Sequence, residues 1–209
     1  SGIQAKGGTH TVGIHGCTFI HAGRRGVNLG GSTGDQFFRP KLEAKDNVEA
    51  RQILVIGSVF VGCEAPIAFV TSRQCEVWHC TFYRPGKWVM RILQEKPTDR
   101  FLACGNGVFA GNVIVWRKQD VRTHVNVGPN TLAKTFKAHS NWWYCEDAPQ
   151  RSRPDLPMPA RFEQHGRDPK LRLVDGLPRL SDDSPALGKA GARTWREAQD
   201  KAGPEPPRR

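Results

Sequence analysis

Several features are missing from this 209-residue chain, and most of these absences close a class of structure. No apolar run approaches the length of a membrane span; the lack of a charged-then-apolar leader pattern at the first residues closes nothing, because the chain opens in the middle of a repeat. Amphipathic helical runs of useful length are lacking before about residue 190, which excludes a helix bundle. No Gly-rich loop follows a strand and opens a helix, so the nucleotide-binding motifs fail. The six cysteines, Cys17, Cys63, Cys75, Cys80, Cys104 and Cys145, form no CxxC pair. A zinc knuckle is therefore excluded, and the thiols read as small buried apolar groups. In the strand-rich part Asn106-Gly107 is the only pair of the hairpin type, which argues against a β-sandwich.

What is present is glycine, proline and positive charge. The 22 glycines and 15 prolines mean many turns, yet they are too aperiodic for collagen or a wholly disordered chain. Against 31 Lys+Arg stand 20 Asp+Glu, a formal net charge of +11. Residues 1–149 hold 18 basic and 11 acidic groups, and residues 150–209 hold 13 and 9, so the excess is not gathered in one arm. Such a balance favours polyanions such as nucleic acid, anionic lipid or acidic polysaccharide, or else gives a basic solvated surface with no specific partner.

An internal repeat decides the fold class. Five segments align: VGIHGCTFI, ILVIGSVFV, CEVWHCTFY, GVFAGNVIV and FKAHSNWWY. Cys17, Ser58, Cys80, Asn112 and Asn141 form a column of small or polar residues. Two places later stand Phe19, Phe60, Phe82, Ile114 and Trp143, and three places before it stand Ile14, Val55, Val77, Phe109 and Ala138. Apolar positions at period two mean strands with one buried face, and columns repeating across segments mean equivalent residues stacked in a solenoid. The small-polar column fits a tight bend whose side chains bond to the next turn's backbone, with Asn112 and Asn141 suited by Asn's tolerance of the left-handed region. Successive members of the column are 41, 22, 32 and 29 residues apart, so some turns carry insertions, notably Gly31–Ala50 and Gln94–Gly105. A second strand set accompanies the first: GIQAKG, GVNLGG, PIAFV, WVMRIL and HVNVG. The expectation is an all-β chain, a parallel β-helix over residues 1–146 with about five turns.

The character changes after about residue 146. APQRSRPDLPMPAR reads as a Pro- and Arg-rich strap, Thr194 to Ala202 as a short helix, and the terminal GPEPPRR as disordered, giving a second region over 147–209.

From about residue 2 to residue 145 the repeats resemble the right-handed parallel β-helix proteins of bacteria, related to pectate lyase-like and chondroitinase B-like enzymes. DPKLRLVDG through DSPALGKAG looks like the closing segment that follows such helices. The resemblance implies a secreted or periplasmic protein acting on a uronate-rich polymer, with calcium as the ion to consider. A helix of this kind beginning at Gly2 would leave an open edge of unpaired strand groups, from which further turns on the N-terminal side are expected.

If apolar residues of the second strand set point inward, Lys6, Asn28, Ala68, Arg91 and Asn126 fall near one outward line. Guanidinium and amide groups suit the hydroxyls and carboxylates of a sugar chain, although an exposed strand face must be polar in any case. A lyase must neutralise a uronate carboxylate, remove the neighbouring proton and protonate the leaving oxygen. In chondroitinase B-like enzymes a Lys and an Arg on neighbouring turns do this. Lys6 looks like that Lys, while the matching place one turn later falls at or beside Gly30. Arg25 or Arg39 could substitute from the loop. The catalytic candidates are Lys6 and Arg91; the substrate-binding candidates are Asn28, Arg39, Gln94, Glu95, His124 and Asn126. Glu95 reads as an acid, a base, a calcium ligand or a solvent salt bridge. Phe37 and Phe38 beside Arg39 either stack on sugar rings or anchor their loop. The paired aspartates and Gly-His-Gly of polygalacturonases do not appear, so a glycosidase is the weaker enzymatic option. Basic residues are not interleaved with stacking aromatics, which sets nucleic acid below polysaccharide. Two alternatives stand beside the lyase: a non-catalytic carbohydrate-binding or structural module, and an enzyme whose remaining residues lie in N-terminal turns absent from this chain.

Overall fold

In the computed structural model, which describes residues 1–192, the chain is all-β with three stacked parallel sheets, an arrangement compatible with a parallel β-helix. The expected helix at Thr194–Ala202 and the terminal GPEPPRR lie outside the described residues. The first pass of the chain runs through Ile3–Ala5 (β1), Thr9–His15 (β2) and Thr18–Ile20 (β3). The second runs through Arg25–Gly30 (β4), Ala50–Ile56 (β5) and Val59–Val61 (β6). Next come Ala65–Val70 (β7), Ser72–Arg73 (β8), Glu76–Trp78 (β9) and Thr81–Tyr83 (β10), then Met90–Leu93 (β11), Val108–Ala110 (β12) and Val113–Trp116 (β13). Val125–Val127 (β14), Lys137–His139 (β15) and Trp142–Cys145 (β16) follow, then Ala160–Arg161 (β17) and Gln164–His165 (β18). Leu171–Val174 (β19) and Leu177–Leu180 (β20) close as an antiparallel pair.

Sheet one takes β1, β4, β7, β11 and β14; sheet two takes β2, β5, β9, β12, β15 and β17, with β8 on β5; sheet three takes β3, β6, β10, β13, β16 and β18. The column registers read from sequence match the pairing, Phe19–Phe60–Phe82–Ile114–Trp143 in sheet three and Ile14–Val55–Val77–Phe109–Ala138 in sheet two. Inward side chains from all three sheets make one core. Through it runs a file of rings, Phe19 to Phe60 at 4.7 Å, Phe60 to Phe82 at 5.0 Å and Phe82 to Phe109 at 5.4 Å between centroids. Where sheet three offers Ile114, the file crosses to Phe109 of sheet two and continues to Trp143 at 6.1 Å. Each such buried ring removes a large apolar surface from water.

The bend between sheets two and three explains the small-polar column. Asn112 Oδ1 accepts from Cys80 N at 2.8 Å, and Asn141 Oδ1 accepts from Asn112 N at 3.0 Å, so each amide bonds to the backbone of the preceding pass. Ser58 Oγ does the same for Cys17 N at 3.2 Å. The left-handed residue is not the Asn, as expected from sequence, but the one before it: Gly16, Gly57, His79, Gly111, Ser140 and Phe162 have φ of 60°, 61°, 47°, 61°, 58° and 58°. Glycine is the residue for which that conformation carries no steric penalty.

Parallel pairing runs past residue 146. β17 pairs β15 and β18 pairs β16, with Glu163 at the bend accepting from Asn141 Nδ2 at 3.1 Å and from Trp143 Nε1. The later tail then packs on the outside of sheet three. Ala186, Ala190, Leu171 and Leu180 cover Val113, Val115 and Trp142, and Ala192 N donates to Thr81 Oγ1 at 2.9 Å. Among the described residues no helix is long and apolar enough to cross a membrane.

Candidate functional site

The outward line of sheet one is Gln4, Asn28, Ala68, Arg91 and Asn126. Lys6 does not belong to it. Ala5 pairs with Leu29, which sets Lys6 beside Gly30, two residues farther along the strand than the line. Gln4 and Lys6 point to the same side of β1, so the alternation that suggested Lys6 holds equally for Gln4. Three strand spacings separate β1 from β11, about 14 Å at roughly 4.8 Å each. Lys6 and Arg91 are therefore not brought together on one sugar unit.

Arg91 is the centre of the line. Its Nε donates to Asn126 Oδ1 at 2.9 Å, and its guanidinium lies over the Trp88 ring, 4.4 Å from the centroid. Lys87 Nζ sits 4.3 Å from the same ring. The four terminal N–H groups of Arg91 have no acceptor among the described residues. Burial pushes its pKa below the ordinary value and the neighbouring Arg25 pushes the same way, while Glu64 and Glu95 oppose them. A guanidinium remains charged throughout the physiological range, so the result is a partly desolvated cation with free donors.

Arg25 is the second cation, and it reaches across from the start of β4. Nη1 donates to Asn28 Oδ1 at 2.8 Å, and Nη2 bonds Glu95 Oε1 at 3.1 Å, just past the end of β11. Sequence reasoning named Arg25 as a possible substitute and left Trp88 out. The signal for Trp88 was its place three residues before Arg91 in WVMRIL. Asn28 is fully buried and spent within the protein, its Nδ2 donating to Gly30 O at 2.8 Å. It orients Arg25 and offers no atom to a ligand.

The remaining candidates are placed differently from expectation. Gln94 stitches its own loop, accepting from Cys104 N at 2.7 Å and donating to Lys96 O at 2.9 Å. Arg39 donates to Phe38 O at 2.7 Å and Gln36 O at 3.1 Å inside the other insertion. His124 leaves the groove altogether: its ring packs edge-on against Trp116 at 5.0 Å and Trp143 at 6.0 Å, with Nε2 buried and unbonded. Burial lowers its pKa and Asp155 partly offsets this. Of the two loop aromatics, Phe38 is buried against Phe101 at 5.6 Å, whereas Phe37 is 67% exposed.

Both insertions leave from the same ends of sheet-one strands and are tied together. Asp35 takes Lys96 at 2.6 Å and Arg100 at 3.0 Å, and Leu102 N donates to Asn47 O at 2.9 Å. Those bonds hold the pKa of Asp35 below the usual carboxylate value, the Lys96 hydrogen bond being the first cause. The two loops thus stand as one wall beside the Arg91 line. Calcium does not suit the line, because of the two carboxylates that act on Arg91, Glu64 and Glu95, the second is already bonded to Arg25, and two guanidinium groups lie beside them. Among the described residues no three His, Cys, Asp or Glu gather as a metal site.

Comparison with protein-family models, curated proteins and solved structures finds no match in any of the three.

Proposed function

We propose that the outer face of sheet one binds an extended acidic polysaccharide containing uronate units, on a right-handed parallel β-helix of about five turns. The observation that carries this is Arg91, a partly desolvated guanidinium stacked on Trp88 with four terminal donors unused. A carboxylate pairs with such a fork through two parallel hydrogen bonds. Asn126, Gln4 and the exposed edge of the Arg25–Glu95 pair supply donors and acceptors to hydroxyls along the same line. The role belongs to a secreted or periplasmic protein of the pectate lyase-like kind.

The geometry favours a binding face over a lyase. β-Elimination needs a base at the carbon beside the carboxylate that Arg91 would hold, and Lys6 lies three strand spacings, about 14 Å, across the sheet and two residues farther along it. Titration calorimetry with polygalacturonate, alginate and chondroitin tests the proposal. Arg91→Ala should weaken binding about 10- to 100-fold, the worth of one charge-assisted bidentate contact. Unchanged affinity in that variant, or no binding by any of the three polymers, sinks the reading. Absorbance near 235 nm is recorded in the same samples; a rise would show unsaturated ends and restore the lyase.

A further inference from the structure

We infer that the outer face of sheet two carries a second binding site, for an uncharged, hydroxyl-rich chain of the neutral glycan type. A recess of about 670 Å³ lies there, and Gln52, Gln74 and Asn106 line it. The pairing of Arg51 with Arg73 and of Leu54 with Glu76 sets Gln52 beside Gln74. The pairing of Glu76 with Val108 sets Gln74 beside Asn106. The three amides therefore form a ladder on successive passes, spaced roughly 4.8 Å apart. All three residues are exposed, and none of their side-chain amides has a hydrogen-bond partner among the described residues.

Their backbone adds a second, independent observation. φ is 54° at Gln52, 55° at Gln74 and 55° at Asn106, the left-handed region that a Gln side chain adopts at a steric cost. At the other bend of the same three strands that conformation falls to Gly57, His79 and Gly111. Here amides hold it instead, with no internal hydrogen bond to offset the strain, and strained polar residues of this sort gather where a ligand is met.

The chemistry of the recess fixes the ligand class. An amide both donates and accepts, as a hydroxyl does, so a ladder of amides matches a run of hydroxyls. The two charges in the lining, Glu76 and Lys137, are of opposite sign, and Glu76 already accepts from Trp78 Nε1 at 2.7 Å. The two charges offset one another, so the lining carries no net charge. Half-buried Leu54 and Val108 give an apolar floor for the C–H faces of sugar rings.

The test is calorimetric titration of cellohexaose and maltohexaose into the wild-type chain, the triple variant Gln52→Gly/Gln74→Gly/Asn106→Gly, and Arg91→Ala. Glycine keeps the left-handed backbone without strain, so the triple variant should melt no lower than wild type while losing at least tenfold in affinity. Asn106→Asp, which tolerates the same φ and loses the donor, should weaken binding severalfold and serves if the triple variant folds poorly. Arg91→Ala should leave hexaose binding intact, so failure of the acidic site on sheet one would not touch this one. The inference is overturned if neither hexaose binds the wild-type chain, if the amide variants bind undiminished, or if binding disappears in Arg91→Ala.

Discussion

Glu49 is a fully buried carboxylate with no ion-pair partner among the described residues. Gly7 N donates to it at 2.9 Å, Thr33 N at 2.7 Å and Thr33 Oγ1 at 2.7 Å. It thereby fastens the start of the first insertion to the turn after β1, and so fixes the wall beside the Arg91 line. Hydrogen bonds to a charged group are worth about 1.5–3 kcal/mol each, but their sum overstates the effect because the carboxylate also loses its hydration. A buried donor left without its acceptor costs about 1–3 kcal/mol, and Glu49→Ala, which strands three donors, should cost about 4. At about 2–4 °C per kcal/mol for a chain of this size, the melting point drops by roughly 8–16 °C. Glu49→Gln should cost about half as much, since one amide oxygen can still accept while the NH₂ meets donors. Thr33→Val should cost about 1 kcal/mol, because the backbone bond survives. Thermal melts followed by tryptophan fluorescence check the order, and limited proteolysis between residues 31 and 48 shows whether the loop opens before the sheets. A Glu49→Ala protein melting within about 2 °C of wild type, with no new cleavage in the loop, would refute the reasoning.

Three further outcomes are expected. Asn112→Ala should destabilise by about 3 kcal/mol in urea unfolding, because Cys80 N and Val77 O lose their buried partners together. His124 has a folded pKa below its unfolded value of about 6.5, so its contribution is present above that pH and is lost as pH falls through the folded value. Melts between pH 7 and pH 4 should show this slope in the wild type and a flatter one in His124→Phe, which also gains about 1 kcal/mol at pH 7 by removing the unbonded Nε2. At the bend, Ser140→Gly should stabilise by about 1 kcal/mol by relieving φ of 58°. Gly111→Ala should do the reverse by a similar or larger margin, since its Cβ would sit 2.7 Å from His79 Cε1.

Much of the architecture was legible because a buried strand face repeats in kind. The Phe19 and Ile14 columns needed only the period of two and the small residue at the bend to fall into register. The line on sheet one was less secure for a physical reason. A slip of one residue would turn Ile3 and Ala5 outward and is forbidden, but a slip of two keeps the face and merely exchanges Lys6 for Gln4. Alternation is blind to that choice, which the backbone ladder alone decides. β17 and β18 escaped notice because Ala160–Arg161 and Gln164–His165 bury no alternating side chains and join the sheets through their backbones. His124 misled because its neighbour Asn126 does face outward on β14, while His124 stands at the turn before it, where the route of its ring is set by Trp116 and Trp143.

The charge of the chain also means less than its total. Glu146 holds Arg84 and Arg117 at 2.8 Å each, Asp35 holds Lys96 and Arg100, and Asp183 holds Lys170 at 2.6 Å. These pairs answer local needs and give little long-range pull. The three outer faces then differ by what is left over. Sheet three is covered by the chain's own tail through Ala186, Ala190 and Leu180. Sheet two keeps three neutral amides, and sheet one keeps a guanidinium whose only hydrogen-bonded partner among the described residues is another amide. Selectivity between an acidic and a neutral chain would therefore reside in Arg91 and not in the net charge of +11. Its salt dependence should be that of one or two desolvated contacts, shallower than that of a polycation on a polyanion.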